Sequence, residues 1–180
     1  PGDSPDWEYT RWEQPKPDIP EEYPKPRSCD ELSFVRLQGT GSLRLANQFL
    51  AGGPDGRVWH RRAGVNGWRY AFGVVADGYL ISVAILEHPH NTELADYANT
   101  LYLTRLANHP HRPPNTSSWF LARIRGWLRH HTDYEELVAL AGIDGNDGTC
   151  YRAAGFEFEG QQPVLPGPET AYSHEWTKTR

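Results

Sequence analysis

The sequence predicts an α/β domain: a central mixed, mostly antiparallel sheet flanked by helices, with a Pro-rich N-terminal arm. Three observations lead there. The predicted elements run strand, helix, three strands, helix, strand, helix, strand, so a parallel crossover is expected only in the second half. Arg69–Val75 and Tyr79–Leu86 are β-rich runs joined at Asp77-Gly78, a strong hairpin signal. The length, 180 residues of which 38% are hydrophobic, suffices for one core and not comfortably for two.

The arm is set apart by composition. Residues 1–31 hold seven of the fifteen prolines, with nine acidic and four basic side chains. The rest of the chain has equal numbers of each, so the net charge of -5 belongs to the arm. Such a segment favours extended backbone and cannot build a core of its own. Trp7, Tyr9, Trp12 and Tyr23 suggest an arm that packs on the body or on a second copy, as in a homodimer, although a floppy tail with incidental aromatics fits the same residues. The expected organisation is an arm over 1–31, a domain over 32–160 and a Pro- and Gly-rich tail over 161–180. No apolar run approaches the roughly 18 residues that span a bilayer, and the polar start predicts no secretory signal. The expectation is a cytoplasmic protein with no membrane contact, whose Cys29 and Cys150 are free thiols.

Along the body, Leu32–Leu37 alternates like a strand. Ser42–Leu50 reads as a helix with Leu43, Ala46, Asn47 and Leu50 on one face and Gly52-Gly53 as its stop. Pro54–Gly67 is a loop rich in Arg, His and Gly. After the hairpin, Pro89 and Asn91 mark a break. Thr100–Leu106 is a strand, His109–Ser117 a loop, and Ser118–His130 a helix with Phe120, Ile124, Trp127 and Leu128 at helical spacing. Glu136–Ala141 is a short buried strand, Asp147–Ala154 a short helix ended by Gly155, and Phe156–Glu159 a last strand.

Two segments carry chemistry. In the first, a strand runs through a tight loop into a helix whose first turn offers free N–H groups and the positive end of the dipole, both favourable to phosphate. Thr116, Ser117 and Ser118 can cap that helix and donate to phosphate oxygens. Asn115 tolerates the positive φ that an anion nest needs, and Arg112 adds a fixed charge at the mouth. A plain capped helix after a Pro-rich turn fits the same residues. In the second segment, a buried strand ends in polar residues and leads into a short helix bearing Tyr151. The small pair Ala153-Ala154 lets this helix lie close to the sheet. A core tyrosine with a satisfied hydroxyl fits there equally well.

Together the two segments resemble the acyl-CoA-binding core of the GNAT acyltransferases. Their phosphate loop reads Gln/Arg-x-x-Gly-x-Gly/Ala; Arg112-Pro113-Pro114-Asn115-Thr116-Ser117 has that spacing, with Asn115 and Ser117 at the small-residue positions. Their second half reads Asn, then Tyr, then Gly-Phe; Asp144, Tyr151 and Gly155-Phe156 fall at those positions. A narrower resemblance, over roughly residues 40–160, is to the Mom family, GNAT-like proteins that modify adenine in phage DNA and so block restriction. It rests on Leu103-Thr104-Arg105-Leu106, on Pro114 to Leu121, on Asp144, and on Gly148 to Phe156. Phe72 to Val75 and Ile81–Pro89 also suit that family's hairpin.

The resemblance implies an N-acyltransferase that uses acetyl-CoA or another acyl-CoA. Tyr151 would protonate the leaving thiolate, and Asp144 would orient the acceptor or act as base. Arg105 would face donor or acceptor, although a structural ion pair would also account for it. Arg112, Asn115, Thr116, Ser117 and Ser118 would hold phosphate. The acceptor would be a base in phage or viral DNA, and the protein would work in the host cytoplasm. Basic residues interleaved with aromatics suit such a partner: Trp59, Arg61, Arg62, Trp68 and Arg69 form one cluster. A second cluster, His109, His111 and Arg112 continuing to Arg123, Arg125, Arg129, His130 and His131, is explained as well by the helix dipole. No His pair has metal-ligand spacing with a third ligand nearby. Two other functions remain open at this point, an ordinary GNAT enzyme acting on a small amine or protein and a GNAT-shaped binding protein without chemistry.

Overall fold

The computed structural model describes residues 15–16, 20–52, 68–88, 98–141, 148–163 and 172–179. Seven strands form one sheet: β1 (Ser33–Arg36), β2 (Trp68–Ala76), β3 (Tyr79–Glu87), β4 (Thr100–Asn108), β5 (Glu136–Ala141), β6 (Glu157–Pro163) and β7 (Tyr172–Thr179). Their spatial order is β1-β2-β3-β4-β5-β7-β6. Every neighbouring pair is antiparallel except β4 and β5, which run parallel. Three helices complete the fold, α1 (Gly39–Leu50), α2 (Thr116–His131) and α3 (Thr149–Ala153), and a short 3-10 turn at Cys29–Glu31 precedes β1. No described helix is long and apolar enough to cross a membrane.

The β2–β3 hairpin closes on Asp77 (φ 49) and Gly78 (φ 85), with Ala76 opposite Tyr79. Two consecutive positive φ values define the tight turn that matches the twist of paired strands. Both strands are buried almost end to end rather than alternately, as expected for strands covered on both faces. On one face Phe34 and Phe72 stack at 5.3 Å, and α2 presses Phe120 and Trp127 against this pair. The buried positions of α2, Phe120, Leu121, Ile124, Trp127 and Leu128, recur at helical spacing. The parallel β4–α2–β5 crossover appears where the element order requires it.

Two expectations need correction. The first helix starts at Gly39, three residues before the expected Ser42. The tail expected over 161–180 is not separate from the sheet: β6 continues to Pro163, and β7 inserts between β5 and β6. In the sequence Tyr172, His174 and Trp176 alternate with Ser173, Glu175 and Thr177, a period of two that suits a strand. The Pro- and Gly-rich stretch before it obscures that pattern. The described part of the arm lies on the body, one of the arrangements expected from its aromatics. The Lys16 N–H donates to the Gly78 carbonyl at 2.8 Å, Lys16 Nζ sits 4.6 Å from the Tyr79 ring centroid, and Tyr23 is buried in the core.

Gly73 of β2 sits in close packing with side chains of β1 and β3. A Cβ there would lie 2.5 Å from Leu80 Cδ1, 3.2 Å from Val35 Cγ2 and 3.3 Å from Leu37 Cδ2. Gly73→Ala is therefore expected to lower stability by about 1–3 kcal/mol through overpacking. Denaturant melts check this, and an unchanged midpoint would mean that the β1–β2–β3 face has spare room.

Candidate acyl-CoA and anion site

The site begins with an irregularity in β4. Ile85 pairs with Arg105 and Leu86 with Leu103, so Thr104 is an extra residue, a β-bulge. The parallel pairing with β5 runs from Thr100–Glu136 to Leu103–Ala139 and stops there. Beyond this point β4 stays on β3 as far as Asn108, while no described strand pairs with its other side. Alternate amides of residues 104–108 therefore turn to an open edge. The bulge also breaks the strict alternation that would place Arg105 on the face of Leu101 and Leu103. Arg105 is half-buried, and its Nη1 donates to the Thr104 carbonyl at 2.7 Å.

At the end of β4 the chain turns through His109–Pro114 into α2. Asn115, the residue before the helix, has φ 66 and ψ 4, the left-handed conformation expected of it. The Thr116 N–H reaches the Pro113 carbonyl and the Trp119 N–H the Asn115 carbonyl. The Ser117 and Ser118 N–H groups have no backbone acceptor among the described residues. They point out of the first turn at the positive end of a 16-residue helix. Arg112 is exposed beside them, and its Nη1 lies 3.4 Å from the His109 carbonyl. Thr116 is buried and donates to the Pro113 carbonyl at 2.7 Å, shaping the loop from within. Ser118 Oγ donates to the Asn115 carbonyl at 3.0 Å. The buried Ser82 hydroxyl donates to Asn108 Oδ1 at 2.8 Å, and Asn108 Nδ2 donates to Ser117 Oγ at 3.2 Å. That chain leaves the Ser117 proton available to an anion.

Tyr151 lies in α3 at 3% exposure, beside Phe156 with ring centroids 5.7 Å apart. Gly148 (φ 77) caps the start of α3, and Arg125 Nη1 of α2 donates to the Ala154 carbonyl at 2.9 Å, tying the end of α3 to α2. Asp144 falls outside the described residues, as do Trp59, Arg61 and Arg62. Trp68 and Arg69 belong to the start of β2. Trp68 is half-buried against the core. The exposed Arg69 guanidinium lies 5.3 Å from the Tyr70 ring centroid. Hydrogen bonding to the Tyr134 hydroxyl, aided by Tyr70, holds it above the ordinary guanidinium range.

Two side chains of the site, Ser82 and Asn108, escaped the sequence reading; His109 reads there only as the start of the loop and a basic residue, and Tyr23 only as an arm aromatic able to pack on the body. Polar residues where a strand ends are the only local signal for Asn108 and His109. For Ser82 there is none, because its role comes from a neighbour far along the chain. Cys29 also approaches the loop, its Sγ 3.6 Å from the Pro114 carbonyl oxygen. Burial pushes its thiol up more than a hydrogen bond with Thr116 holds it down.

A sheet whose two central parallel strands part ahead of a helix N-terminus with free amides defines a GNAT-type fold. The chain belongs to the Mom protein family, whose model matches residues 58–177. That match runs into β7, past the Gly160 limit expected from sequence. Solved structures agree on the fold. The acetyltransferase of the GNAT family from Streptococcus pneumoniae has 10% identity and a TM-score of 0.63, over 83% of this chain and 99% of that one. Arabidopsis thaliana NAA60, in complex with acetyl-CoA, has 12% identity and a TM-score of 0.61 over the same shares. The putative acetyltransferase yncA from Salmonella typhimurium, with its cofactor acetyl-CoA, has 13% identity and a TM-score of 0.59, over 83% and 94%. No curated protein matches the chain.

The left-handed Asn115 gives a direct test of the loop. Asn115→Val places a β-branched side chain at positive φ and should cost about 1–2 kcal/mol. Asn115→Gly should be at least as stable as the natural chain. Denaturant melts of both decide, and equal stability of the two variants would contradict the left-handed loop.

Proposed function

We propose that this protein transfers an acyl-type group from a CoA thioester to an amine of a nucleobase in phage or viral DNA, protecting that DNA from restriction. The observation that carries the donor half is the open β4 edge leading to free amides at the start of α2. Membership of the Mom family supports DNA as the acceptor.

The residues present fit an acyl-CoA. Ser117, Ser118 and Asn115 offer donors and a nest for phosphate, with Arg112 at the mouth. A bound acyl-CoA supplies an activated carbonyl carbon and a sulfur leaving group. The open amides of 104–108 donate to the carbonyl oxygen as negative charge builds on it. The acceptor nitrogen forms the new C–N bond as the C–S bond breaks. Tyr151 gives its proton to the departing sulfur, and Asp144 takes the proton that the amine loses. Arg105, near the bulge, adds positive charge close to the reacting carbonyl. Trp59, Arg61 and Arg62, with Trp68 and Arg69 adjoining, hold the DNA backbone and stack a displaced base.

The test is mass spectrometry of nucleosides from DNA co-expressed with the protein. A base of increased mass is expected, and Tyr151→Phe should lower its yield by roughly 10²–10⁴-fold while the chain still folds. If the folded protein binds acetyl-CoA but leaves DNA unmodified, DNA is not the acceptor. An undiminished yield in the variant would make Tyr151 a core residue only. Arg61→Ala combined with Arg62→Ala should reduce the salt slope of DNA binding by up to about two units. An unchanged slope would take these two side chains off the phosphates.

A further inference from the structure

We propose that Tyr23 is a positioning residue for the phosphate loop, so that the N-terminal arm forms part of the acyl-CoA site. The inference rests on reading Arg112–Ser118 as the place where the CoA phosphates bind.

His109 is the hinge of the argument. It stands where β4 ends and the loop begins, and it is only 2% exposed. Its N–H donates to the Ile81 carbonyl at 2.8 Å, which fixes it to β3. Its Nδ1 accepts the His111 N–H at 3.1 Å, and its carbonyl accepts the Arg112 N–H at 3.1 Å. One imidazole residue thus sets the turn that carries Arg112. The Tyr23 ring lies flat on that imidazole, with centroids 4.0 Å apart and planes 15° from parallel.

The arm holds the loop at further points. His111 Nδ1 lies 3.3 Å from the Tyr23 carbonyl oxygen, and the Cys29 thiol reaches the carbonyl of Pro114, the residue before Asn115. The contacts therefore fall on both sides of Arg112. Pro110, Pro113 and Pro114 stiffen the loop internally, because each fixes its own φ. They do not fix where the loop sits relative to β4 and α2; the His109–Ile81 and Thr116–Pro113 hydrogen bonds do so at its two ends, and the arm holds it between them. Without the Tyr23 ring, water reaches one face of His109 and competes for its Nδ1. Each phosphate bound must then also order the loop, and affinity falls by that cost.

The experiment is calorimetric titration of the full chain with CoA, for the natural protein, Tyr23→Phe, Tyr23→Leu and Tyr23→Ala. Tyr23→Phe keeps the stacked ring and should bind within about twofold of the natural chain. Tyr23→Leu keeps most of the apolar volume but loses the stack. It and Tyr23→Ala should bind CoA about tenfold or more weakly, a difference of about 1.4 kcal/mol, while still melting cooperatively. Folded Leu and Ala variants with natural CoA affinity would overturn the inference, leaving Tyr23 as a buried side chain that only supports the core. Failure of both variants to fold would have the same consequence. A natural protein that does not bind CoA would defeat the reading of the site itself, before any variant is compared.

Discussion

The parting of β4 from β5 is the constraint on which the rest of the structure depends. A parallel pair has evenly spaced hydrogen bonds and no intrinsic reason to stop. Here it stops after Leu103 and Ala139, next to the extra residue Thr104 in β4. A bulge bends its strand and increases the local twist, so β4 keeps its bonds to β3 while turning from β5. The result is a row of β4 amides in the middle of the sheet that no described strand takes up. Had the pairing continued, those amides would be consumed by β5. The same turn delivers the end of β4 to the start of α2, so the open edge and the helix N-terminus meet.

The two ends of α2 are held in different ways. Its N-terminus is shaped by a loop of prolines, by left-handed Asn115 and by the arm. Its C-terminal half is fixed by packing. Trp127 touches Tyr70 and Phe72 edge-on, and His131 stacks on Trp127 with centroids 4.8 Å apart. The Arg36 guanidinium lies 4.8 Å from the Trp127 ring centroid and 5.1 Å from that of Tyr70. Burial lowers the Arg36 pKa more than Tyr70 raises it. A desolvated guanidinium over aromatic faces is stabilised by their quadrupoles. The far end of the helix is thereby held rigid, and the fine position of the N-terminal turn is left to the loop and the arm.

Much of this was legible in the sequence because local chemistry decides it. Asp77-Gly78 dictates a tight hairpin, and the spacing of Phe120, Ile124, Trp127 and Leu128 dictates a helix with one buried face. Asn115 adopts the positive φ that its amide side chain tolerates. What was not legible depends on partners distant in the chain. No property of Thr104 marks it as an extra residue, since a bulge is defined by the register with β3. The β7 strand was hidden because Pro and Gly precede it and its partners, β5 and β6, are separated from each other in sequence by α3. The arm looked separable because its composition is that of an extended segment. Yet Tyr23, stacked on His109, is buried with the core.

The account stands or falls on whether the open β4 edge and the start of α2 form one binding surface. Amide hydrogen exchange of the full chain, with and without CoA, tests this most directly. The account predicts that CoA slows exchange at residues 104–108 and at Ser117 and Ser118, and leaves β6 and β7 unchanged. Exchange that is unaltered at both segments under saturating CoA, or slowed only elsewhere, would contradict it.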